Sequence, residues 1–277
     1  MPAAETLRSR ANPLYKRLRA LKQRSASGSL CLLEGPKLAL EALGAGVSVV
    51  EAAASPRAET TAAGARALAE LRAHGVPVRR MAEALLASLS ETGTSQGLLA
   101  LAERPSFEAE RVFEAKHGAE PLVLVVDGVQ DPGNLGALLR SAEAAGATGA
   151  LLTTGCADPL SWKALRGSMG SAFRLPHATG LTIGDALDRL AAHGIAVYAT
   201  AADGDRRYDE VALQGPVAVV VGREGAGLSD AVQASAAARL RIPLAVPVES
   251  LNVGIAAALV LFEAARQRGF AGRSASS

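Results

Sequence analysis

Short, wholly apolar segments separated by polar loops recur through the second half of this 277-residue chain, and they constrain its fold most strongly. The segments 122–126 (LVLVV) and 217–221 (VAVVV) contain no polar residue. Strands that are apolar on both faces are typical of parallel sheets covered by helices on both sides. The sequence therefore predicts βα units and an α/β fold with a parallel sheet. The other apolar and helix-like segments alternate along the chain at 135–145, 150–153, 182–193, 195–199, 240–242 and 251–268.

The N-terminal part of the chain shows a looser version of the same alternation. Leu14, Leu18 and Leu21 have helical spacing, and residues 58–73 form an alanine-rich helix candidate. Short apolar segments between such helices favour a smaller sheet with helices on its faces. The charged stretch at 103–120, which follows this part of the chain, has no strand pattern and is typical of a linker. We therefore predict a first α/β domain at 1–104, a linker at 105–120, a second domain at 121–269 and a tail at 270–277.

Several classes of protein and site are disfavoured by composition. No uninterrupted apolar stretch approaches the roughly 20 residues that cross a bilayer. The N-terminus lacks the apolar core of a secretory signal, so we expect a cytoplasmic protein with no membrane partner. Cys31 and Cys156 lie far apart, and the four histidines are scattered without ligand spacing, so we expect buried free thiols and no metal site.

Basic residues concentrate at the N-terminus, where residues 1–24 contain a single acid, Glu5. Such a cluster can neutralise phosphates, because Lys and Arg displace the counterions of a polyanion. It can equally be the solvated face of a helix. From this segment alone both interpretations stay open. The cluster consists of Arg8, Arg10, Lys16, Arg17, Arg19, Lys22 and Arg24.

Three polar loops follow apolar strand candidates, at 127–140, 222–230 and 242–254. Ligands of open α/β sheets bind outside the carboxyl ends of the strands, so we expect one composite pocket. The glycines at 222–227 have the spacing G-x-x-G-x-G, which differs from the dinucleotide fingerprint and disfavours a nicotinamide cofactor. Nucleophile-elbow and phosphate-loop motifs do not occur. The polar side chains of these loops include Asn134, Arg140, Glu224, Ser250 and Asn252.

Some of these residues also have purely structural interpretations. Asn134 lies at a helix start, where asparagine is a good N-cap, and Ser250 can cap a helix that begins at Leu251. Glu224 can form a loop salt bridge. These structural roles are compatible with functional ones.

The loop sequences, in their order and spacing, resemble the three motifs of the SpoU (TrmH) branch of the SPOUT RNA methyltransferases. They read NLGALLR at 134–140, GREGAGL at 222–228, and IP at 242–243 followed by SLNVG at 250–254. The resemblance implies methyl transfer from S-adenosylmethionine to a ribose 2'-hydroxyl, a homodimer, and a deep trefoil knot in the C-terminal domain. This chain departs from the usual motifs at Arg223, where asparagine is common, and at Gly254, where serine is common.

A second resemblance covers the N-terminal part. NPLYKRL at 12–18 and LLEGPKL at 32–38 are similar to the α/β/α substrate-binding domain attached to many ribosomal RNA members. This similarity implies that the basic cluster, together with Lys37, contacts RNA.

The family resemblance also implies roles for the loop residues. Arg140 is expected to act on the 2'-hydroxyl, but a guanidinium with a pKa above about 12 is a poor proton acceptor. We therefore expect Arg140 to stabilise the developing alkoxide or to bind the adjacent phosphate. Asn134, Ser250 and Asn252 are expected to position the ribose and backbone, and Glu224 to orient Arg140 or its loop. The expected cofactor contacts are Thr200, Ala201, Ala202, Gly222, Arg223, Glu224, Gly225, Ile242, Leu244, Leu251 and Asn252.

The expected substrate is 23S ribosomal RNA. Three alternatives stay open: a transfer RNA 2'-O-methyltransferase, an antibiotic-resistance ribosomal RNA methyltransferase, and a non-catalytic RNA-binding or assembly protein. Retention of the whole polar set in the three loops favours an enzyme over the non-catalytic alternative.

Overall fold

The computed structural model describes residues 6–23, 28–90, 95–115, 118–222 and 228–270. The chain forms two compact units. Unit 1 comprises Met1–Ser106 and Asp158–Phe173, and unit 2 comprises Phe107–Ala157 and Arg174–Ser277. None of the helices in the described ranges combines the length and the hydropathy that a bilayer crossing requires.

A four-stranded sheet in the order β1-β4-β2-β3 forms the centre of unit 1, with β4 antiparallel to β1 and β2 and with β3 parallel to β2. Leu32 and Leu99 on one face pack with apolar side chains of the surrounding helices. Cys31 and Leu33 on the opposite face are also buried, so both faces are covered. The elements are α1 Pro13–Gln23, β1 Leu30–Glu34, α2 Pro36–Gly44, β2 Val49–Ala54, α3 Pro56–Thr60, α4 Ala62–Ala73, β3 Val78–Arg80, α5 Glu83–Ala87 and β4 Leu98–Glu103.

Trp162 explains why the segment Asp158–Phe173 belongs to unit 1. This only tryptophan of the chain begins α7 (Trp162–Ser168) and is buried with Leu32 and Leu99. Its Nε1 donates a hydrogen bond to Glu34 Oε2 at 2.7 Å. The Arg104 guanidinium binds both carboxylate oxygens of Asp158, at 2.6 and 2.9 Å. These contacts correct the assignment of this segment to the second domain, because its partners lie far earlier in the sequence.

Seven parallel strands form the sheet of unit 2, in the order β7-β6-β5-β10-β8-β11-β9. β5 and β10 are buried at every position, as their wholly apolar sequences predict. The α/β fold with a parallel sheet is therefore confirmed. The elements are β5 Leu122–Val126, α6 Pro132–Ala144, β6 Gly149–Thr153, β7 His177–Leu181, α9 Ile183–Ala192, β8 Ala196–Thr200, β9 Arg206–Arg207, β10 Val217–Val221, α10 Asp230–Ser235, β11 Ala238–Arg241 and α11 Val253–Gln267. The short helix α8, Ser171–Arg174, begins in unit 1, to which its first three residues belong.

The stretch predicted as a linker is partly packed into unit 2. It contains a 3-10 helix, Ala109–Val112, and the side chains of Val112 and Phe113 lie in the core beside Val123. Thr148 Oγ1 donates to the Val112 carbonyl at 2.7 Å. Two buried apolar side chains fix this part of the stretch to the sheet, which corrects its interpretation as a simple linker. Most of the predicted tail, residues 271–277, lies outside the described residues.

Two further elements differ from the prediction. The helix expected at 58–73 is divided into α3 and α4 at Thr61, whose Oγ1 accepts a hydrogen bond from Gly64 N at 3.1 Å. β7 was not predicted, because this edge strand is only partly buried and lacks a continuous apolar run.

The connection between β8 and β9 crosses β11, which lies between these two strands in the sheet. The crossing occurs at Gly204, where a Cβ atom would lie 2.6 Å from Arg241 N and 2.6 Å from the Leu240 carbonyl carbon. Only glycine fits so close to another backbone. Ala201 N also donates to the Leu240 carbonyl at 2.9 Å. The backbone crossing is therefore held by sterics and by main-chain hydrogen bonding.

Candidate functional site

A cleft of about 820 Å³ lies where three parallel strands of unit 2 end. Thr200 ends β8, Arg241 ends β11, and Gly222 follows β10. Loops that are distant in sequence therefore surround one cleft. This is the arrangement expected for a parallel sheet, whose ligands bind at the carboxyl ends of the strands. The predicted cofactor-binding residues that line it are Thr200, Ala201, Ala202, Gly222, Ile242, Leu244 and Leu251.

The remaining predicted site residues differ in their placement. Arg223, Glu224 and Gly225 lie outside the described residues. Ser250 lines the cleft, whereas Asn252 borders it, between Leu251 and Val253 of the lining. Sequence reasoning missed further lining residues because it placed β11 two residues late and because single charged side chains there form no motif. They include Asp203, Leu228, Gln233, Arg239, Arg241, Glu249, Val253 and Ala256.

The start of α6 differs from the prediction in a way that changes the role of Asn134. Asp131 is the N-cap, and its Oδ1 accepts a hydrogen bond from Asn134 N at 2.7 Å. Pro132 follows as the first helical residue, where its missing N–H costs no hydrogen bond. The predicted N-cap role of Asn134 is therefore wrong, and its side chain makes a different contact.

That contact joins the first and third motifs. Asn252 Nδ2 donates to Asn134 Oδ1 at 2.9 Å, although the two residues are 118 positions apart in sequence. Asn252 is also the N-cap of α11, since its Oδ1 accepts from Gly254 N at 2.9 Å. Ser250 is exposed and lies before this cap, so its predicted capping role is wrong. One asparagine thus starts α11 and links it to α6.

Gly254 lies at the close approach of α6 and α11. A Cβ atom there would lie 3.5 Å from Ala137 Cβ and 3.1 Å from Asn252 Oδ1. The second distance is shorter than most real contacts, so a side chain would press on the amide that binds Asn134. Glycine at this position has a structural reason in this chain.

Arg140 lies on α6 and is exposed. It follows Asn134 by six residues, which corresponds to about 9 Å along the helix axis. It does not line the cleft, and within the described ranges its guanidinium makes no ion pair. The structure therefore brings Asn134 and Asn252 together but leaves Arg140 on the outer surface of the same helix.

Three of the four charged residues in the described lining of the cleft, Asp203, Arg239 and Arg241, lie beside the backbone crossing. Arg239 Nη1 lies 3.3 Å from Asp203 Oδ2, and Arg241 Nη1 donates to the Gly204 carbonyl at 3.1 Å. Arg239 N donates to Asp205 Oδ1 at 2.9 Å, and this backbone hydrogen bond lowers the pKa of the Asp205 carboxyl. No group of three or more His, Cys, Asp or Glu residues in the described ranges lies close enough together to hold a metal ion.

Unit 1 has a separate cleft, of about 410 Å³, whose lining contains Arg10, Arg19 and Lys22 but no acidic residue. Tyr15 and Ser88 supply two hydroxyl groups to it, and their oxygens lie 3.1 Å apart. We call this site the cationic cleft. Ion pairs of the described part of unit 1 involve other arginines and leave these three cations without an acidic partner.

The remaining predicted RNA-contacting residues are arranged differently. Arg17 is paired with Glu51 at 3.3 Å, and Lys37 lines another cleft together with two glutamates. Arg8 and Lys16 are exposed, and Arg24 lies outside the described residues. The basic cluster is therefore only partly available for an anionic ligand.

The model of the SpoU rRNA Methylase family matches residues 121–262, just over half of the chain. The chain belongs to this family. A second model, of the MRM3-like substrate binding domain, matches residues 12–100.

Relatives of the SpoU family resemble nearly the whole chain. The 23S rRNA (guanosine(2553)-2'-O)-methyltransferase RlmP of Bacillus subtilis (strain 168) is 34% identical over 90% of this chain and 93% of its own length. A crystal structure of an RNA 2'-O ribose methyltransferase is 35% identical, with a TM-score of 0.83 over 95% of this chain and 99% of its own. The AdoMet-bound rRNA methyltransferase from Sinorhizobium meliloti is 31% identical, with a TM-score of 0.78 over 95% and 97%.

Membership of the SpoU family confirms the identification made from the three motifs, and with it an RNA methyltransferase. The second model agrees with the resemblance of residues 12–18 and 32–38 to a substrate-binding domain. The roles of the individual site residues stay predictions.

Proposed function

We propose that this SpoU-family protein transfers a methyl group from S-adenosylmethionine to a ribose 2'-hydroxyl of 23S ribosomal RNA. The proposal rests above all on the hydrogen bond between Asn252 and Asn134, which joins the first and third motifs at the border of the strand-end cleft. The activities by which the relatives are named support the same substrate class.

The cleft of unit 2 fits the proposed cofactor in both size and chemistry. Its apolar side chains, Ile242, Leu244 and Leu251, suit the adenosyl group, and Ala201 and Ala202 leave the main chain accessible. When bound, S-adenosylmethionine supplies an electrophilic methyl group on a sulfonium. Ser250, at the same edge of the cleft as Asn252, is proposed to position the ribose.

Arg140 is proposed to act electrostatically. In-line transfer requires the 2'-oxygen to be held in line with the methyl group, so orientation provides much of the acceleration. The guanidinium is exposed and has no ion-pair partner among the described residues, so it can bind a phosphate beside the reacting ribose or stabilise negative charge on its oxygen. Glu224, which the family resemblance assigns to orienting Arg140, remains part of the proposal.

A homodimer is also proposed. Ile255, Leu259 and Phe262 recur on α11 at helical spacing and are 54%, 37% and 37% exposed. An apolar stripe of this kind on an outer helix favours burial against a second copy. Monomeric behaviour at micromolar concentration in sedimentation would contradict it.

A trefoil knot in unit 2 belongs to the same proposal. The crossing of β11 by the β8–β9 connection at Gly204 supports it, since a knot requires the chain to pass an earlier loop. A cytoplasmic location remains a prediction of the sequence.

We propose that unit 1 binds the RNA, with the cationic cleft as its main contact. Phosphate affinity depends on cations that are not already neutralised, and Arg10, Arg19 and Lys22 meet this condition. The match of residues 12–100 to a substrate-binding domain supports this role.

The test is methyl transfer from labelled S-adenosylmethionine to purified ribosomal and transfer RNA, followed by mapping of 2'-O-methyl positions in cells with and without the gene. One 23S position that depends on the gene is expected. Cofactor and RNA binding without transfer would favour the non-catalytic alternative. Transfer to tRNA alone would replace the proposed substrate.

A further inference from the structure

One side-chain ion pair lies on the lining of the strand-end cleft. Asp203 follows β8 and Arg239 belongs to β11, and Arg239 Nη1 lies 3.3 Å from Asp203 Oδ2. The side chains are 81% and 34% exposed, so the pair remains open to solvent and to a ligand. Exposed pairs of this kind contribute little to folding stability, because solvent screens the attraction. A ligand with matching charges can therefore replace the contact between Asp203 and Arg239 with little loss of folding stability.

The position of each member is fixed by the backbone. Arg239 N donates to Asp205 Oδ1 at 2.9 Å, which holds the β8–β9 connection against β11. Gly204, between the two aspartates, contacts the β11 backbone directly. Asp203 and Arg239 are consequently presented on adjacent segments whose separation is set by sterics. A fixed pair of opposite charges is suited to a ligand that carries both charges on one small group.

We propose that Asp203 binds the α-ammonium group and Arg239 the α-carboxylate of the amino-acid end of S-adenosylmethionine. This inference rests on the proposed cofactor and adds the residues that recognise its methionyl part. The zwitterion presents an ammonium and a carboxylate on one carbon, and the ion pair presents the complementary charges side by side. A guanidinium binds a carboxylate through paired N–H donors, and a carboxylate accepts hydrogen bonds from an ammonium group. On binding, Arg239 and Asp203 would each replace their contact with the other by a contact with the ligand.

Arg241 is less suited to this role although it lines the same cleft. Its Nη1 donates to the Gly204 carbonyl at 3.1 Å, so part of its donor capacity is used by the backbone crossing. The pair Arg207–Asp209, at 2.8 Å, has the same chemistry on the same part of the chain, but neither residue lines the cleft. It therefore provides matched control positions.

The experiment measures the affinity of the full chain for three probes by calorimetry. S-adenosylmethionine carries both charges, decarboxylated S-adenosylmethionine only the amine, and 5'-methylthioadenosine neither. Arg239→Gln is expected to weaken S-adenosylmethionine about tenfold, as for the loss of a hydrogen bond to a charged group, and to leave the other two unchanged. Asp203→Asn is expected to weaken both probes that carry the amine and to leave 5'-methylthioadenosine unchanged. S-adenosylhomocysteine, a fourth probe that keeps the ammonium group but has no sulfonium charge, should be weakened as well, whereas unchanged affinity for it would assign Asp203 to the sulfonium and overturn the inference.

Asp209→Asn and Arg207→Gln are the matched controls, and melting temperatures verify that each variant is folded. Unchanged affinity of both cleft variants for S-adenosylmethionine would overturn the inference. An equal loss for 5'-methylthioadenosine would also overturn it, because the residues would then act on the adenosyl half or on the fold. A wild-type chain that binds none of the three probes would overturn the proposed cofactor itself, and the inference with it.

Discussion

The strand-end cleft of unit 2 and the cationic cleft of unit 1 differ in what their walls offer. The first, about 820 Å³, is lined mostly by small or aliphatic residues such as Ala201 and Leu251, and its charged side chains carry both signs. The second, about 410 Å³, combines two hydroxyl groups with three cations that have no acidic partner in the described part of unit 1. A single small cofactor can be selected by shape and main-chain groups, whereas a long polyanion is bound mainly through charge. The two clefts should therefore respond to different changes.

The largest expected effect lies in a residue that lines neither cleft. Arg140→Ala should lower the rate constant of methyl transfer by about 10²–10³, as expected for removal of a group that stabilises developing charge. Affinities for S-adenosylmethionine and RNA should change much less, because both clefts remain intact. Single-turnover methyl transfer with excess enzyme measures the effect, and the exposed Arg206→Ala is the control. Normal turnover of Arg140→Ala would end the assignment.

The cationic cleft should show its character in the salt dependence of RNA binding. Replacing Arg10, Arg19 and Lys22 together by glutamine should reduce the slope of log K against log salt by about 2, since each phosphate contact contributes about 0.7 for a single strand. Filter binding across a range of salt concentrations measures this slope, and S-adenosylmethionine affinity should be unchanged.

A matched triple variant sharpens this comparison. Its substitutions are at Arg17, Arg79 and Arg80, so it removes the same number of positive charges from unit 1. Each of these arginines is paired with Glu51 or Glu59. Replacement of these three by glutamine should leave the slope near its wild-type value. Equal slopes for the two triples would show that net charge, rather than the cationic cleft, determines RNA affinity.

The strand-end cleft should instead be sensitive to a single methyl group. Gly204→Ala places a Cβ against the β11 backbone, where distances of 2.6 Å leave no room, and should lower the free energy of unfolding by about 1–3 kcal/mol or more. Gly215→Ala is the matched control, because nothing lies within 4 Å of its added Cβ. Urea denaturation compares the two. RNA affinity should be unchanged under native conditions, and equal stability of the two variants would contradict the close crossing.

Local patterns were sufficient to predict the centre of unit 2. The residues of β5 and β10 are apolar throughout, and chain order places the three motif loops at the same edge of a parallel sheet. Cap positions were shifted by two or three residues, because Asp131 and Asn252 compete with the neighbouring polar residues as helix caps. Neither cap could be identified from the sequence without knowing at which residue α6 or α11 begins.

Other features depend on contacts between distant residues and could not be predicted. Trp162 belongs to unit 1 because it donates a hydrogen bond to Glu34 and packs against the cluster that contains Leu32. No residue near Trp162 in the sequence indicates these contacts. Arg239 and Asp203 meet only because β11 is inserted beside β8. Such pairings are set by the topology of the sheet, which local periodicity does not encode.

The smallest expected effect concerns a buried thiol of unit 1. Burial raises the pKa of Cys31 from 9.0 to about 12. The unfolded thiol therefore loses its proton near pH 9 while the folded one retains it. The unfolded state binds fewer protons in this window, so stability must fall as the pH rises from about 9 towards 12. This loss should be reduced in Cys31→Ala, whatever the absolute cost of the missing side chain.

Fluorescence of the only tryptophan makes this effect specific to one region. Trp162 lies in the core of unit 1, so urea titrations followed by its emission report on the unfolding of that unit. The quantity to compare is the change in the free energy of unfolding between pH 7 and pH 10.5 or above, in wild type and in Cys31→Ala. Cys156→Ala, in unit 2, is the control, since its thiol should not affect this signal. Equal pH slopes for wild type and Cys31→Ala would mean that the thiol is accessible to solvent, and that the face of the unit 1 sheet carrying Cys31 is less tightly covered than its burial indicates.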